Sequence, residues 1–410
     1  MKILLIHNYY QLAGGEDEVF RREKELLAAA GHEIIEYTRH NNEINGYNIV
    51  RKVSLAGRSI WASDSRRDLD HLLRRARPDV VHFHNTFPLI SPSAYYACAA
   101  VGVPVVQTLH NSRLFCPAGT LYRDGRPCDD CLGRSFPWPA VQHACYQDSH
   151  ARSAVIASML ITHRWLKTWD SKVNKYVVFT EYYRKLFTQA GIPADKIVLK
   201  PHFVESDPGM RDKIGNYALF VGRLAEEKGI HALLTAWEQL PYIPLKIRGE
   251  GPLAAVVQLA VERQGSSVIM VPRPTREGLL DLMKGARVLV WPSAGYNETF
   301  GLVAAEAFAC GVPVIASRIG AMSEMVREGD TGLNFRPGDP NDLMEKVNWA
   351  WAHPDEMQDM GKRARAEFEA KYTKQHNYTA LMEIYQSVSA LRPPAKTIPV
   401  PAFIGSATRP

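Results

Sequence analysis

Short apolar runs alternate with helix-period segments along most of this 410-residue chain, and the alternation stops and restarts once. That pattern constrains the fold most, because strands interleaved with helices pack as a parallel sheet covered on both faces. In the first half, strands are expected at 3–6, 34–37, 80–83, 105–109 and 176–179, with helices at 16–30, 66–76, 91–100 and 152–169. Residues 201–214, with Pro208, Gly209 and several charges, break the pattern as a linker would. The second series has strands at 218–221, 245–248, 268–271, 288–291 and 314–316. Its helices fall at 230–239, 253–264, 276–284, 302–309 and 342–352.

The simplest fit is an α/β chain of two Rossmann-like domains whose parallel sheets face each other across a cleft. The expected boundaries are 1–200 for the first domain, with a cysteine-containing loop at 111–150, then a linker at 201–215 and a second domain at 216–370. Ligands bind such folds at the carboxyl ends of the strands. Two closing helices, near 354–370 and 373–389, have no following strand, and the segment 371–390 is expected to cross back to the first domain. Residues 391–410, rich in Pro, Ala and Ser with little charge, read as a disordered tail.

An apolar share of 46% excludes a mainly disordered chain, and no uncharged apolar run reaches the 18 residues of a membrane span. The apolar start at residues 3–6 is too short for a signal peptide and reads as the first buried strand of a cytoplasmic protein. The net charge of +6 divides unevenly. Residues 1–200 hold 26 Lys and Arg against 19 Asp and Glu, whereas residues 201–410 hold 23 against 24. Two domains with different partners would show this asymmetry. Residues 51–77 alone carry eight Lys and Arg against three acids, with Ile60 and Trp61 interleaved. Nucleic acid, an anionic membrane or a phosphorylated substrate could use such a stretch, and a solvated helix face accounts for it equally well.

The densest chemistry lies between Pro292 and Ala307, after a strand and into a helix. Glu298 sits in the loop and Glu306 about two turns into the helix, while the amides of Thr299, Phe300, Gly301 and Leu302 occupy the positive helix end. That end accepts a diphosphate through free N–H groups and the helix dipole, and flanking carboxylates can grip hydroxyls. An acidic first turn plus a solvent-facing Glu would look the same in sequence. The loop from Gly222 to Gly229 follows the first strand of the second domain and presents Arg223 and Lys228, a fork and a point charge suited to two phosphates. Gly249, Glu250 and Gly251 follow the next strand, where the glycines permit close backbone approach to a flat ligand. In the first domain, Gly14, Gly15 and Glu16 follow the first strand without the G-x-G-x-x-G spacing of a dinucleotide turn, which disfavours a nicotinamide oxidoreductase. His110 lies at the end of the fourth strand, where it can hydrogen-bond a sugar or stabilise a developing charge. Of His82 and His84, which end the third strand, one is expected to face the cleft.

These pieces, together with Gly31-His32-Glu33, residues 309–316 and Glu328-Gly329-Asp330-Thr331-Gly332, carry a resemblance. Over residues 1–390 the chain resembles the retaining glycosyltransferases of the GT-B type, family 4, also called group 1. The resemblance implies that Arg223 and Lys228 bind the donor diphosphate, Glu306 the ribose hydroxyls, and Glu298 the donor sugar. It places the backbone of Thr299, Phe300, Gly301 and Leu302 on the donor, with Gly249 and Glu250 nearby. Gly14, Gly15 and His110 complete the site, and His110, Glu298, Arg223 and Lys228 form the catalytic set. No metal is needed for catalysis, because cations and the helix end balance the diphosphate, and the leaving phosphate assists deprotonation of the acceptor. The sequence offers no obvious carboxylate nucleophile on the cleft edge of the first domain. The implied activity moves a sugar from GDP-mannose or a UDP-sugar to a glycan acceptor, lipid-linked in surface polysaccharide assembly. The protein would be cytoplasmic, peripheral at the inner membrane face in contact with anionic lipid, and without a nucleic-acid partner. A sugar-nucleotide epimerase of the same fold and a non-catalytic sugar-nucleotide-binding protein are the alternatives.

Four of six cysteines cluster, at Cys116, Cys128, Cys131 and Cys145. The C-x-x-C pair is half a zinc site and the outer two could complete it, while four unliganded thiols fit equally well. Cys98 and Cys310 lie in apolar helices and read as core residues. The stripe of Val155, Ile156, Met159, Leu160, Trp165, Leu166 and Trp169 reads as core packing, although Arg152, Arg164 and Lys167 would also suit an interfacial helix.

Overall fold

The computed structural model describes residues 1–11, 14–296 and 298–390, so the tail at 391–410 and the loop residue Asn297 lie outside the described residues. The first half runs β1 (Lys2–Tyr9), α1 (Gly15–Ala29), β2 (Glu33–His40), α2 (Ile49–Ile60), α3 (Ser63–Ala76), β3 (Val80–Phe83), α4 (Ala94–Val101) and β4 (Val105–Thr108). A loop follows that holds the small ribbon β5 (Tyr122–Arg123) and β6 (Arg126–Pro127) and the short α5 (Trp138–Gln142). Then come α6 (His150–Trp165), α7 (Thr168–Ser171), β7 (Lys175–Val178), α8 (Glu181–Gln189) and β8 (Ile197–Leu199).

The second half runs β9 (Tyr217–Val221), α9 (Ile230–Trp237), β10 (Leu245–Arg248), α10 (Ala254–Gln264), β11 (Val268–Met270), α11 (Arg276–Lys284) and β12 (Ala286–Trp291). It continues with α12 (Leu302–Ala309), β13 (Val314–Ser317), α13 (Gly320–Met325), β14 (Gly332–Phe335) and α14 (Pro340–Ala352). Last come α15 (Pro354–Lys371) and α16 (Lys374–Ser389).

Two six-stranded sheets result, in the orders β2-β1-β3-β4-β7-β8 and β11-β10-β9-β12-β13-β14. Every pairing within them is parallel. Helices cover both faces of each sheet, which explains why central strands such as β3 and β13 are buried at all four positions. Strand order reverses at β1 and β3 in the first sheet and at β9 and β12 in the second. The crevices that open beyond these strand ends are where such sheets bind ligands.

Several elements differ from expectation for local reasons. The strands β8 and β14 went unread because β14 holds Gly332 and Asn334, residue types that strands disfavour, and Lys200 and Pro201 cut β8 short after three apolar residues. The helices α2, α8 and α13 were likewise unread. The expected helix over 152–169 stops at Trp165, because Lys167 adopts the left-handed conformation with φ 51°. Ile156, Met159 and Leu160 form the buried stripe, but Trp165 is 81% exposed and lies outside it. Within the basic stretch, Ile60 packs on the core and Trp61 stacks on His163, with ring centroids 5.9 Å apart. Ile60 and Trp61 therefore face inward.

The connection between the two sheets carries no regular element, yet it is packed: Phe203, Val204 and Arg211 are buried, and Arg211 donates to the Ala286 carbonyl. The helix α16 returns to the first sheet. Its Leu381, Ile384, Tyr385 and Val388 share a core with Ile3, Leu5, Val80, Val106 and Val177. Burying four such side chains contributes roughly 1.5–3 kcal/mol each. Cys98 and Cys310 are fully buried. Among the described residues no helix is long and apolar enough to cross a membrane.

Candidate active site

Two loops meet at the reversal point of the second sheet, one after β9 and one after β12. Gly229, at φ 72°, makes this contact feasible, since a Cβ there would stand 1.8 Å from the Pro292 carbonyl oxygen. The Ala294 amide donates to the Glu227 carbonyl at 2.9 Å and ties the loops together. Gly301 caps α12 at φ 115°, pressed against the Trp291 ring, which would lie 2.0 Å from a Cβ. No side chain caps this helix, so its first amides stay available to an anion.

Around that helix end the charges are paired. Lys228 donates to Oε1 of Glu298, which also accepts from Ser293 Oγ at 2.7 Å. Burial raises the Glu298 carboxyl, but the Lys228 charge and the bonds from Lys228 and Ser293 outweigh it and hold it below the usual range. Arg223 is exposed and its side chain has no hydrogen bond or ion pair among the described residues. Glu306 is not solvent-facing. It is 5% exposed, accepts from Arg276 at 2.6 Å, and has the Arg22 guanidinium of α1 at 3.7 Å. The two carboxylates thus flank the N-terminus of α12, each held by a cation. The Phe300 side chain packs in the core against His202 and Tyr372, leaving only its backbone for a ligand. Thr299 and Leu302 are partly exposed beside it.

The glycines after β10 serve a different contact from the one expected. A Cβ on Gly249 would meet the Gly222 carbonyl oxygen at 2.1 Å, and one on Gly251 the Leu224 carbonyl oxygen at 2.5 Å. Their missing side chains admit the neighbouring loop, not a flat ligand. Glu250 projects outward and pairs with Arg248 at 3.1 Å.

From the first domain, Gly14 and Gly15 open the helix α1, and a Cβ on either would face open space. The Gly14 amide is taken by Asp17 Oδ2 at 2.9 Å, and Asp17 Oδ1 is bonded to the buried His7 at 2.7 Å. His110 bonds His84 at 3.0 Å and stacks between His84 and His202. Burial, then the charges of His7, His82 and Lys200, push His110 well below its ordinary range. A neutral ring can hydrogen-bond a sugar, but it does not supply the positive charge expected for a developing anion. His82 and His84 both project to the same side, towards Glu23, because residues two apart on a strand share a face. Only His84 reaches His110; His82 bonds Thr108 and Tyr385, each at 2.7 Å. Glu23, His82 and His84 alone among the described residues bring three metal-ligating atoms within 4.8 Å of one another. The buried Lys200 already donates to that Glu23 and supplies the charge a cation would.

Sequence reasoning missed three side chains. Arg22 and Arg276 converge on Glu306 only through the tertiary fold, and nothing local marks them among 49 Lys and Arg. Glu16, the third, is a carboxylate at the start of α1, on the edge where the sequence offers no obvious carboxylate nucleophile. It accepts from Asn111 at 3.3 Å, beside Tyr10 and Arg113. Burial pushes its carboxyl up to about 7, against the pull of Arg113. Its place directly after the Gly14-Gly15 pair was the available signal.

In the cysteine loop, Cys131 is buried and Cys116, Cys128 and Cys145 are partly buried, all four lining one small cavity. Burial, with the neighbouring sulfurs adding to it, pushes the Cys131 thiol up to about 12.

Comparison with known proteins matches this arrangement. Residues 13–207 match the family Glycosyltransferase Family 4, and residues 206–367 match Glycosyl transferases group 1. The chain is 31% identical over 278 residues to D-rhamnosyltransferase WbpZ of Pseudomonas aeruginosa, an overlap that covers 60% of this chain and 70% of that protein. Sucrose-phosphate synthase from Thermosynechococcus elongatus shares the fold with a TM-score of 0.70 at 19% identity, over 95% of this chain and 100% of that one. HepE from Anabaena, solved in complex with UDP, does so with a TM-score of 0.65 at 16% identity, over 95% and 100%. With two matched halves and a relative aligned over most of its length, the chain belongs to the group 1 glycosyltransferases of family 4 and carries their two-domain GT-B fold.

Proposed function

We propose that the protein moves a hexose from a nucleoside diphosphate sugar, GDP-mannose or a UDP-sugar, to a glycan acceptor with retention of anomeric configuration. The observation that carries this reading is the pairing of Glu298 with Lys228 and of Glu306 with Arg276 on either side of the uncapped α12 end. A diphosphate seated there meets helix amides, Lys228 and the free Arg223, so the charge developing on the leaving group is stabilised without a catalytic metal. Glu306 takes the ribose hydroxyls and Glu298 a hydroxyl of the donor sugar. The bond from the anomeric carbon to the phosphate oxygen breaks while a bond to the acceptor oxygen forms on the same face. The acceptor proton passes to the leaving phosphate. His110, neutral and bonded to His84, orients the donor sugar from the first domain.

The acceptor is lipid-linked, as in surface polysaccharide assembly, and the first domain meets an anionic membrane at its cytoplasmic face. The excess of basic residues in the first half supports this, as do Trp138 and Trp165, 58% and 81% exposed, the second lying two residues before Lys167. Nucleic acid is not a partner in this reading.

A panel of nucleotide sugars screened by thermal stabilisation tests the donor. A rise in Tm with one sugar nucleotide and its nucleoside diphosphate supports the reading, and no rise with any of them contradicts it. Conversion of the donor without acceptor would favour an epimerase of the same fold, and stabilisation without turnover a binding protein.

A further inference from the structure

We infer that Cys116, Cys128, Cys131 and Cys145 hold one structural zinc ion, which pins the loop at 111–150 beside the cleft. Cys116 and Cys145 lie apart in the chain from the Cys128–Cys131 pair, yet all four line a single cavity of about 20 Å³. That is room for one atom of the size of a water molecule. The rest of the wall is Ala118, Leu121, Tyr122, Arg123 and Ala140. Four sulfurs with no carboxylate or imidazole among them form the complete donor set of a closed tetrahedral zinc site and suit neither calcium nor magnesium.

The loop around this cavity packs Phe115 and Leu121 into the core but has little regular structure. Its regular structure is limited to the two-residue strands β5 and β6 and the five-residue α5. Among the described residues, eight non-glycine residues adopt positive φ, and five of them, Leu121, Asp124, Ala144, Gln147 and Asp148, lie in this loop. Left-handed backbone persists where the surroundings over-determine it, and a metal tie provides that. Donors are also in place for sulfurs that carry charge. The Arg123 side chain and the Ala140 backbone line the same cavity, and each favours the charged form of a neighbouring sulfur, Cys145 and Cys131 respectively. Such N–H contacts are the usual outer support of a zinc–thiolate centre.

No three of these sulfurs lie within 4.8 Å of one another, so binding has to draw them inward. Four S–Zn bonds form and four protons leave with them. The pinned loop also reaches the donor side: Tyr122 feels the charges of Glu226 and Glu227, next to Lys228. This inference stands apart from which sugar is transferred.

The full chain, purified under reducing conditions without added metal or chelator, should contain one zinc per chain by elemental analysis. Exchange for cobalt(II) should give the intense visible spectrum of a tetrahedral thiolate site. Cys128→Ser and Cys131→Ser should lose the metal, while Cys98→Ser should keep one per chain. Absence of stoichiometric zinc, a different stoichiometric metal, or two disulfides found by thiol titration without reductant would each overturn the proposal. So would full zinc content in the Cys128→Ser and Cys131→Ser proteins. If those variants do not fold, the metal content and cobalt spectrum of the unaltered chain decide the matter.

Discussion

Arg276 on α11 donates a 2.6 Å hydrogen bond to Oε1 of Glu306 on α12, and Arg22 of the opposite domain stands 3.7 Å from the same oxygen. One buried carboxylate is thus oriented by cations from both walls of the cleft. In the proposed donor mode, ribose hydroxyls approaching it would find a fixed acceptor rather than a mobile side chain, which lowers the ordering that donor binding requires.

Glu306→Ala should therefore raise the donor KM by about 10- to 100-fold, the scale of a lost charge-assisted contact, with a smaller change in kcat. The ribose lies far from the reacting bond, so its contact is felt nearly equally in the ground and transition states. Steady-state kinetics with varied donor check this. An unchanged KM would remove Glu306 from the ribose.

Lys228 has two partners in this account, Glu298 now and the diphosphate during reaction. Lys228→Ala should lower kcat as well as kcat/KM, by roughly 100-fold or more, because charge on the leaving group grows in the transition state. It should also release Glu298 from the cation that depresses its carboxyl, moving the acid limb of the pH–rate profile to higher pH. Equal rates at saturating and limiting donor would exclude this role.

Glu16 makes a pH-dependent prediction about stability. Its carboxyl ordinarily ionises at 4.5 and in the fold at about 7. Between those values the folded chain keeps a proton that the unfolded chain releases, so this group's contribution to stability falls as pH rises through the window. Glu16→Gln should accordingly gain on the wild type between pH about 5 and about 8, by ~1–3 kcal/mol. Urea unfolding at both pH values measures it, and a pH-independent difference would contradict the raised carboxyl.

Two glycines should respond in opposite ways. Gly229→Ala forces a Cβ into the Pro292 carbonyl at φ 72° and should cost about 2–4 kcal/mol of stability. Gly14→Ala meets nothing within 4 Å and has φ −121°, so it should stay within about 1 kcal/mol of wild type. Denaturant midpoints of the two variants separate a packing glycine from one that faces open space.

The parallel sheets were legible because central strands, buried on both faces, are written as unbroken apolar runs such as Ile3–Ile6 and Val288–Trp291. Two edge strands were not: Gly332–Phe335 carries Gly332 and Asn334, which strands disfavour, and Ile197–Leu199 is cut short by Lys200 and Pro201. In the site, Glu298 and Glu306 could be placed from sequence because one loop and one helix position both of them. Arg22 and Arg276 could not, because their meeting point is set by how α1, α11 and α12 pack. The glycines at 249 and 251 show the same limit. Their need for space was readable, but whether a ligand or the loop at Gly222 filled that space was not.

The most direct measurement is transfer itself: nucleoside diphosphate release from the stabilising sugar nucleotide, with and without a glycan acceptor, and the anomeric configuration of the product by NMR. Release should depend on acceptor, and the glycosidic bond formed should keep the configuration of the donor. An inverted bond, or conversion of the donor to another sugar nucleotide without acceptor, would contradict it.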